Sequence, residues 1–460
     1  MLMYDTSLLD EDTRNSFWSR VRRFAVPPTM IDAATARRAL GDWGGACAAA
    51  GCDPEFRLRA VTRAYGSELA GRLRADLRHL APDLLRWHLP RIAPDGVLRP
   101  GLTLTLARYP RDGGGAPLHL VARTAPDQAS AGQRIVLALW DADARPPGGR
   151  PRPRPDPRFR LDLHRHLWDV RRSVELADRT AELTDSHFAD TVWEFEAGLV
   201  RSADGLPDGA PVAVRLAHRR HLLLGGPPAA PAEAGRGAAV LPDAATWTPP
   251  DLLLLRAGLI GPDALHPLVA AALAPGHRPA VAPQRPERAG VEGPLTVECR
   301  GVPHRIAVVD GVLVPLDHDP EQLRREEALA ELGGPPLPCL RAIDRAHRQP
   351  EDLDAIQQRL LHGDRAGALA AVHRLIGPEA VLRHGPLAEA LDADLQRRLV
   401  HSLHTAGLEP TRSRYDTAPA PVTGDPRPHG RPHRPAPHHL PPAPPGAPAL
   451  VGPTPRHATP

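Results

Sequence analysis

Lysine is absent from this 460-residue chain: all 57 basic residues are arginine. Asparagine occurs once, as Asn15, and aromatic residues make up 4%. Lysine and asparagine both use AT-rich codons, so their scarcity is first a mark of base composition. It still excludes chemistry. A phosphate-binding loop closed by lysine, a kinase strand lysine and a lysine Schiff base all need a residue this chain lacks. The nucleophile elbow G-x-S-x-G, the zinc motif H-E-x-x-H and the dinucleotide fingerprint G-x-G-x-x-G are missing too. Cysteine is scarce: Cys47, Cys52, Cys299 and Cys339 form no C-x-x-C pair and no disulfide scaffold. They read as small side chains buried in a reducing compartment. No uncharged apolar run approaches the roughly 20 residues that span a bilayer. The longest stretch, 251–274, is broken by Arg256, Gly261-Pro262-Asp263 and His266-Pro267. The acidic first residues carry no signal-peptide core. The expectation is a cytoplasmic protein with no membrane association.

What the chain has in abundance is punctuation, with 56 prolines and 39 glycines. At roughly 150 residues per domain the length allows two or three domains. Residues 1–24 read as an arm of mixed charge. Residues 25–95 read as a helical module, stopped and restarted at Gly41-Asp42, Gly51, Asp53-Pro54 and Gly66-Ser67. After Pro100 the apolar period shortens to two, at Leu102–Leu106, Leu118–Ala122 and Ile135–Trp140, as in an antiparallel meander with one buried face. Residues 96–225 are therefore a β-rich domain, with a further strand over Phe159–Trp168, a helix over about 174–199 and a strand over Val212–Leu224. Residues 226–250 read as a linker, and 251–294 as a helical segment followed by a proline-rich linker.

The signal sharpens over 295–410. Three short strands, Leu295–Arg300, His304–Val309 and Val312–Leu316, include a hairpin turned at Asp310-Gly311, where a type I′ turn needs positive φ twice. Asp319-Pro320 starts a helix. Further helices fill 337–407, with Gly363, Gly377 and Gly407 as C-terminal stops. Leu387, Leu391, Leu395, Leu399 and Leu403 form an i+4 ridge, a pattern expected of a core-facing helix. Residues 411–460 are dominated by Pro, Ala, His and Arg and cannot bury enough apolar surface to order, so they read as a disordered tail. The fold class is α+β, with helical modules at both ends of an antiparallel β-rich middle.

One pattern occurs twice. Gly41-Asp42-Trp43-Gly44-Gly45-Ala46 matches Gly363-Asp364-Arg365-Ala366-Gly367-Ala368 as G-D-x-x-G-A. Each reads as a helical hairpin, glycine ending one helix and aspartate capping the next. Two separated copies are fewer than the three adjacent repeats that a solenoid needs.

The net charge of +3 gives no global reason to expect nucleic acid. The surplus is local: 145–160 carries six arginines against one aspartate. The run through Arg150, Arg152 and Arg154 reads as an extended basic polyproline segment, a place for an acidic partner or phosphate. No aromatic residue interleaves it, as single-stranded nucleic acid would require. Asp162, His164 and His166 share one face of the expected strand, and two imidazoles with a carboxylate are a ligand set for a catalytic metal. Ser186-His187 with Asp185 and Asp190 supplies the residue types of a triad but not its geometry. Trp43, on a tight helical turn, is either a core plug or an anchor for a partner. The tail's His429, His433, His438, His439 and His457 would retain metal adventitiously.

Three stretches carry a resemblance: Arg22–Gly51, Arg74–Arg99, and Val297–Gly334 with its CRG, DG and LDHDP segments. They resemble proteins of high-GC actinobacteria with no assigned function, over about half of the chain, and with no catalytic motif attached. The leading reading is a non-enzymatic adaptor or assembly partner that binds another protein through helical surfaces, with no cofactor and no nucleic acid. The alternatives are a metal-dependent hydrolase using His164 and His166, and an anion- or nucleic-acid-associated protein using Arg150–Arg160.

Overall fold

Asp10 opens the first helix, α1 (Glu11–Phe24), its carboxylate accepting the Thr13 N–H at 3.0 Å. Residues 11–24 of the stretch expected as an arm are therefore a helix, and residues 1–9 lie outside the described residues. Phe17, Trp18, Val21 and Phe24 fall on one face of it and are buried. The arginines and acids between them dilute the apolar stripe in the sequence. The computed structural model describes residues 10–111, 114–126, 133–144, 153–181, 189–217, 220–225, 238–278 and 295–408.

Next come α2 (Pro28–Ala39) and α3 (Trp43–Ala49). Asp53-Pro54, expected to start a helix, lies instead in the short strand β1 (Cys52–Pro54), which pairs in parallel with Ile135–Leu137. The helix starts later, as α4 (Leu58–His79), and breaks at Gly66, whose φ of 86° no helix tolerates. After α5 (Pro82–His88) a two-strand ribbon, β2 (Arg91–Ile92) and β3 (Val97–Leu98), leads into the meander. Its strands are β4 (Thr103–Tyr109), β5 (Leu118–Thr124) and β6 (Ile135–Trp140), in the order β1-β6-β5-β4. The period-two leucines have done what they were expected to do: Leu104, Leu106, Leu118, Leu120, Ile135 and Leu137 are all buried.

Phe159–Trp168 is not a strand. Arg160 makes a single bridge to Thr105, and the chain then turns into a short 3-10 segment, Arg165–Leu167. The alternation misleads because Phe159, Leu161, Leu167 and Trp168 are all buried, but by a chain folded on itself. The Trp168 indole N–H donates to the Leu161 carbonyl at 3.0 Å. Helices α6 (Glu175–Ala181) and α7 (Ala189–Asp204) follow, then β7 (Val212–Ala217) and β8 (Arg220–Leu224), a hairpin where one strand was expected. The described part of the expected linker is structured: β9 (Ala239–Val240) joins β7, and Leu241, Asp243 and Ala245 are buried. The two helical pieces are α8 (Pro250–Arg256) and α9 (Pro267–Leu273). Leu254 of α8, Leu265 between the two, and Val269 and Ala272 of α9 enter the same core as α1, α4, α5 and the meander. One core therefore runs across the boundaries drawn from composition.

The C-terminal module begins with β10 (Leu295–Cys299), β11 (Val302–Val309) and β12 (Val312–Pro315), paired antiparallel in that order. Asp310 and Gly311 have φ of 51° and 81°, as their turn requires. Asp319 caps α10 (Pro320–Glu331) by accepting the Gln322 N–H. Helices α11 (Pro338–Arg348), α12 (Leu353–Leu361), α13 (Arg365–Ile376) and α14 (Pro386–Thr405) complete it. The ridge on α14 is only half a core feature. Leu387 is buried and Leu391 half-buried, whereas Leu395 and Leu399 are 54% and 53% exposed. The fold is α+β, as expected. Residues 411–460, where the tail is expected, lie outside the described residues.

Candidate functional site

The turn at 161–168 places His164 just before the 3-10 segment and His166 within it. Both are buried, with their rings perpendicular and 5.7 Å apart. The carboxylate that joins them is not Asp162. Asp162 turns to Arg108 and Arg160, each at 2.9 Å, because the segment is not a strand and its residues do not share a face. Instead α7 delivers Glu196, held at Oε1 by the Arg179 guanidinium from α6. Glu196 Oε2 stands 3.7 Å from His164 Nε2, beyond hydrogen-bond reach. His164 Nε2, His166 Nδ1 and Glu196 Oε2 have no hydrogen-bond partner among the described residues.

These groups line a cavity of about 20 Å³ with Thr180 and Trp247. That is room for one water, which would satisfy such groups, and not for a substrate. Burial pushes His164 down to about 3, with Arg179 and Arg160 adding to the effect. Burial also drives His166 down, reinforced by the His164 ring. Glu196 is raised by burial, against the pull of Arg179. Both imidazoles are thus held neutral.

Trp43 is the first residue of α3, half-buried and packed on the main core. Arg150 and Arg152 lie outside the described residues, as do Asp185, Ser186 and His187, and Arg154 is exposed. Further along the run, Arg158 pairs with Asp243, and Arg160 with Asp162 and Asp204.

A second cluster escaped sequence reasoning. Among the described residues, one group of three ligating side chains brings its donor atoms within 4.8 Å of one another: Cys299, His318 and Cys339. Cys299 ends β10. Its partner across the ladder is Val302, so His304, two residues further along β11, shares its face. The chain then returns through β12 to deliver His318, and the start of α11 supplies Cys339. Both cysteines are buried, and His318 is 9% exposed. His304 Nδ1 lies 2.7 Å from His318 Nε2. The Gln322 side chain, in the first turn of α10, also hydrogen-bonds to His318. Burial, with the Cys299 thiol beside it, pushes the Cys339 thiol up to about 12. Sequence spacing hides this set, because its members are scattered along the chain rather than set as C-x₂₋₄-C. The only clue was the Asp310-Gly311 turn, which fixes the register between β11 and β12.

No family model matches the chain, and no curated protein or solved structure is found to match it. No helix among the described residues is long and apolar enough to cross a membrane.

Proposed function

We propose that this protein is a non-enzymatic cytoplasmic adaptor that binds another protein through a helical surface of its C-terminal module. The observation that carries the reading is the α14 ridge. Single exposed leucines are ordinary on a protein surface. Leu395 and Leu399 differ in that they stand together on the i+4 ridge, exposed between the covered Leu387 and Leu391 and the half-buried Leu403. Covering the exposed half of each would contribute about half of the roughly 1.5–3 kcal/mol that full burial of a leucine gives. The competing readings have less behind them. The His164–His166 cavity is too small for a substrate. The arginines at 158 and 160 are already matched by carboxylates, which weakens an anion-binding run.

Affinity capture on the full chain, with the wild type beside Leu395→Asp/Leu399→Asp, tests this. Proteins retained by the wild type should fall at least tenfold on the double variant. Far-UV circular dichroism should be unchanged, and Val381→Asp, at another exposed site, should retain them. Capture that ignores Leu395 and Leu399 would refute the docking face.

A further inference from the structure

We infer that Cys299, His304, His318 and Cys339 form a structural zinc site that fastens the β10–β12 sheet to α11. Three of the four already hold their donor atoms within 4.8 Å of one another. The fourth, His304, lies on the same face as Cys299, with its ring nitrogen 2.7 Å from that of His318. Two thiols and two imidazoles are a donor set for a tetrahedral, borderline-soft cation, and oxygen-seeking magnesium or calcium would not choose it. With Zn–S near 2.3 Å and Zn–N near 2.0 Å, neighbouring donors around zinc stand roughly 3.3–3.8 Å apart. Binding requires His304 and His318 to part from their 2.7 Å contact and the other donors to close in. Gln322 bonds to His318 in the manner of the outer groups that orient a ligating imidazole.

The module has a physical need for such a clamp. The cluster between sheet and α11 consists of five buried residues: Cys299, Ile306, Leu337, Cys339 and Ile343. Two of these are the proposed ligands themselves. A cluster that small holds the sheet to α11 only weakly, beside the larger cluster that α12, α13 and α14 bury. The donors come from β10, β11, the segment after β12 and the first turn of α11. One ion would therefore cross-link every chain segment that meets there. Four protein ligands leave no open position, so the site is structural and not catalytic.

The test uses the full chain, purified without a histidine tag, under reductant. Dialysis against EDTA strips the weak nitrogen-only binding expected of the tail histidines. The expected result is one zinc per chain, retained by the wild type and lost in Cys299→Ser and Cys339→Ser. Replacement with Co²⁺ reads the site without relying on a variant that folds. Two thiolates give a near-ultraviolet sulfur-to-cobalt charge-transfer band with the intense visible bands of tetrahedral cobalt. His304→Ala should keep the charge-transfer band and lower zinc affinity at least tenfold; unchanged affinity would remove His304 from the site. Weak octahedral cobalt bands without charge transfer would overturn the proposal. So would an intact mass showing Cys299 and Cys339 joined as a disulfide under the same reductant.

Discussion

Arg22 lies buried against Asp251, its Nε and Nη2 each donating at 2.7 Å to a different carboxylate oxygen. Its Nη1 donates to the Trp87 carbonyl at 2.9 Å, and its guanidinium stands 4.3 Å from the centre of the Trp87 ring. The Trp87 indole N–H donates to the same carboxylate at 3.2 Å. An isolated buried ion would cost several kcal/mol in lost hydration, and here every charged atom has a partner. The planar five-donor fork of arginine does what an ammonium could not at this site. Arg22→Ala should cost about 3–5 kcal/mol in urea unfolding, since Asp251 would keep a buried charge without its counter-ion. Arg22→Ala combined with Asp251→Ala should cost less than the two single losses added together. Additive losses would mean that the pair is not formed. None of this was legible in the sequence. The two residues are 229 positions apart, and nothing local marks one charge among many as buried. The same holds for Cys299 and Cys339, which look isolated until a hairpin and a helix start bring them together.

Turns between elements were far more legible, because their chemistry is local. In both copies of G-D-x-x-G-A the first glycine has positive φ, 72° at Gly41 and 86° at Gly363. The aspartates cap α3 and α13, accepting the Gly45 N–H at 2.8 Å and the Gly367 N–H at 3.0 Å. An arginine five residues earlier grips each carboxylate, Arg37 on Asp42 and Arg359 on Asp364. The second glycine also has a reason. A Cβ on Gly367 would collide with the Asp364 carboxylate and the Arg359 guanidinium, and one on Gly45 with the Asp42 carboxylate and Arg37 Cδ. The pattern thus encodes a capped turn with an arginine clamp, and helical hairpins at both ends follow from it. Gly367→Ala should destabilise the protein by about 1–2 kcal/mol, the size of a lost helix cap, as read from the urea midpoint. In the Asp364→Ala background, where the obstructing carboxylate is gone, the same change should cost much less. An equal cost in both backgrounds would rule out the carboxylate clash. The meander was legible for a similar reason, since its apolar period is local to each strand, although β4 buries Thr103 and Thr105 on its other face as well. Phe159–Trp168 was not, because a self-folded turn can bury the same residues a strand would bury. The α14 ridge gave the helix correctly, but periodicity cannot say how far along a helix its neighbours extend.

Across the whole molecule, buried arginines and histidines tie distant segments together. Arg86, fully buried, donates to the carbonyls of Ala25 and Gln133, and to that of His362 at 2.8 Å, joining α1, the meander and the C-terminal module. The His362 ring is buried beside it, and neither of its nitrogens has a hydrogen-bond partner among the described residues. Burial pushes His362 down to about 3, with Arg91, Arg86 and Arg20 adding to the effect. His88 is pushed down to about 4 and His164 to about 3, again chiefly by burial, and His166 moves the same way. In the unfolded chain all four return to the ordinary value of 6.5. Above pH 6.5 both states hold these rings neutral, and their burial costs nothing in protonation. Below it the unfolded chain takes up protons that the folded chain refuses, so stability falls as pH falls from 6.5 toward the folded values. Each histidine contributes a slope of up to about 1.4 kcal/mol per pH unit in that window. Urea unfolding between pH 7 and 4.5 should therefore show a steep loss of stability that begins before most carboxylates titrate. His164→Gln, which cannot take up a proton, should flatten that loss by roughly one proton's worth. A stability that stays level from pH 6.5 to 5 would mean that these rings are solvated in the folded protein, and that the modules do not share the buried contacts that Arg86 makes between them.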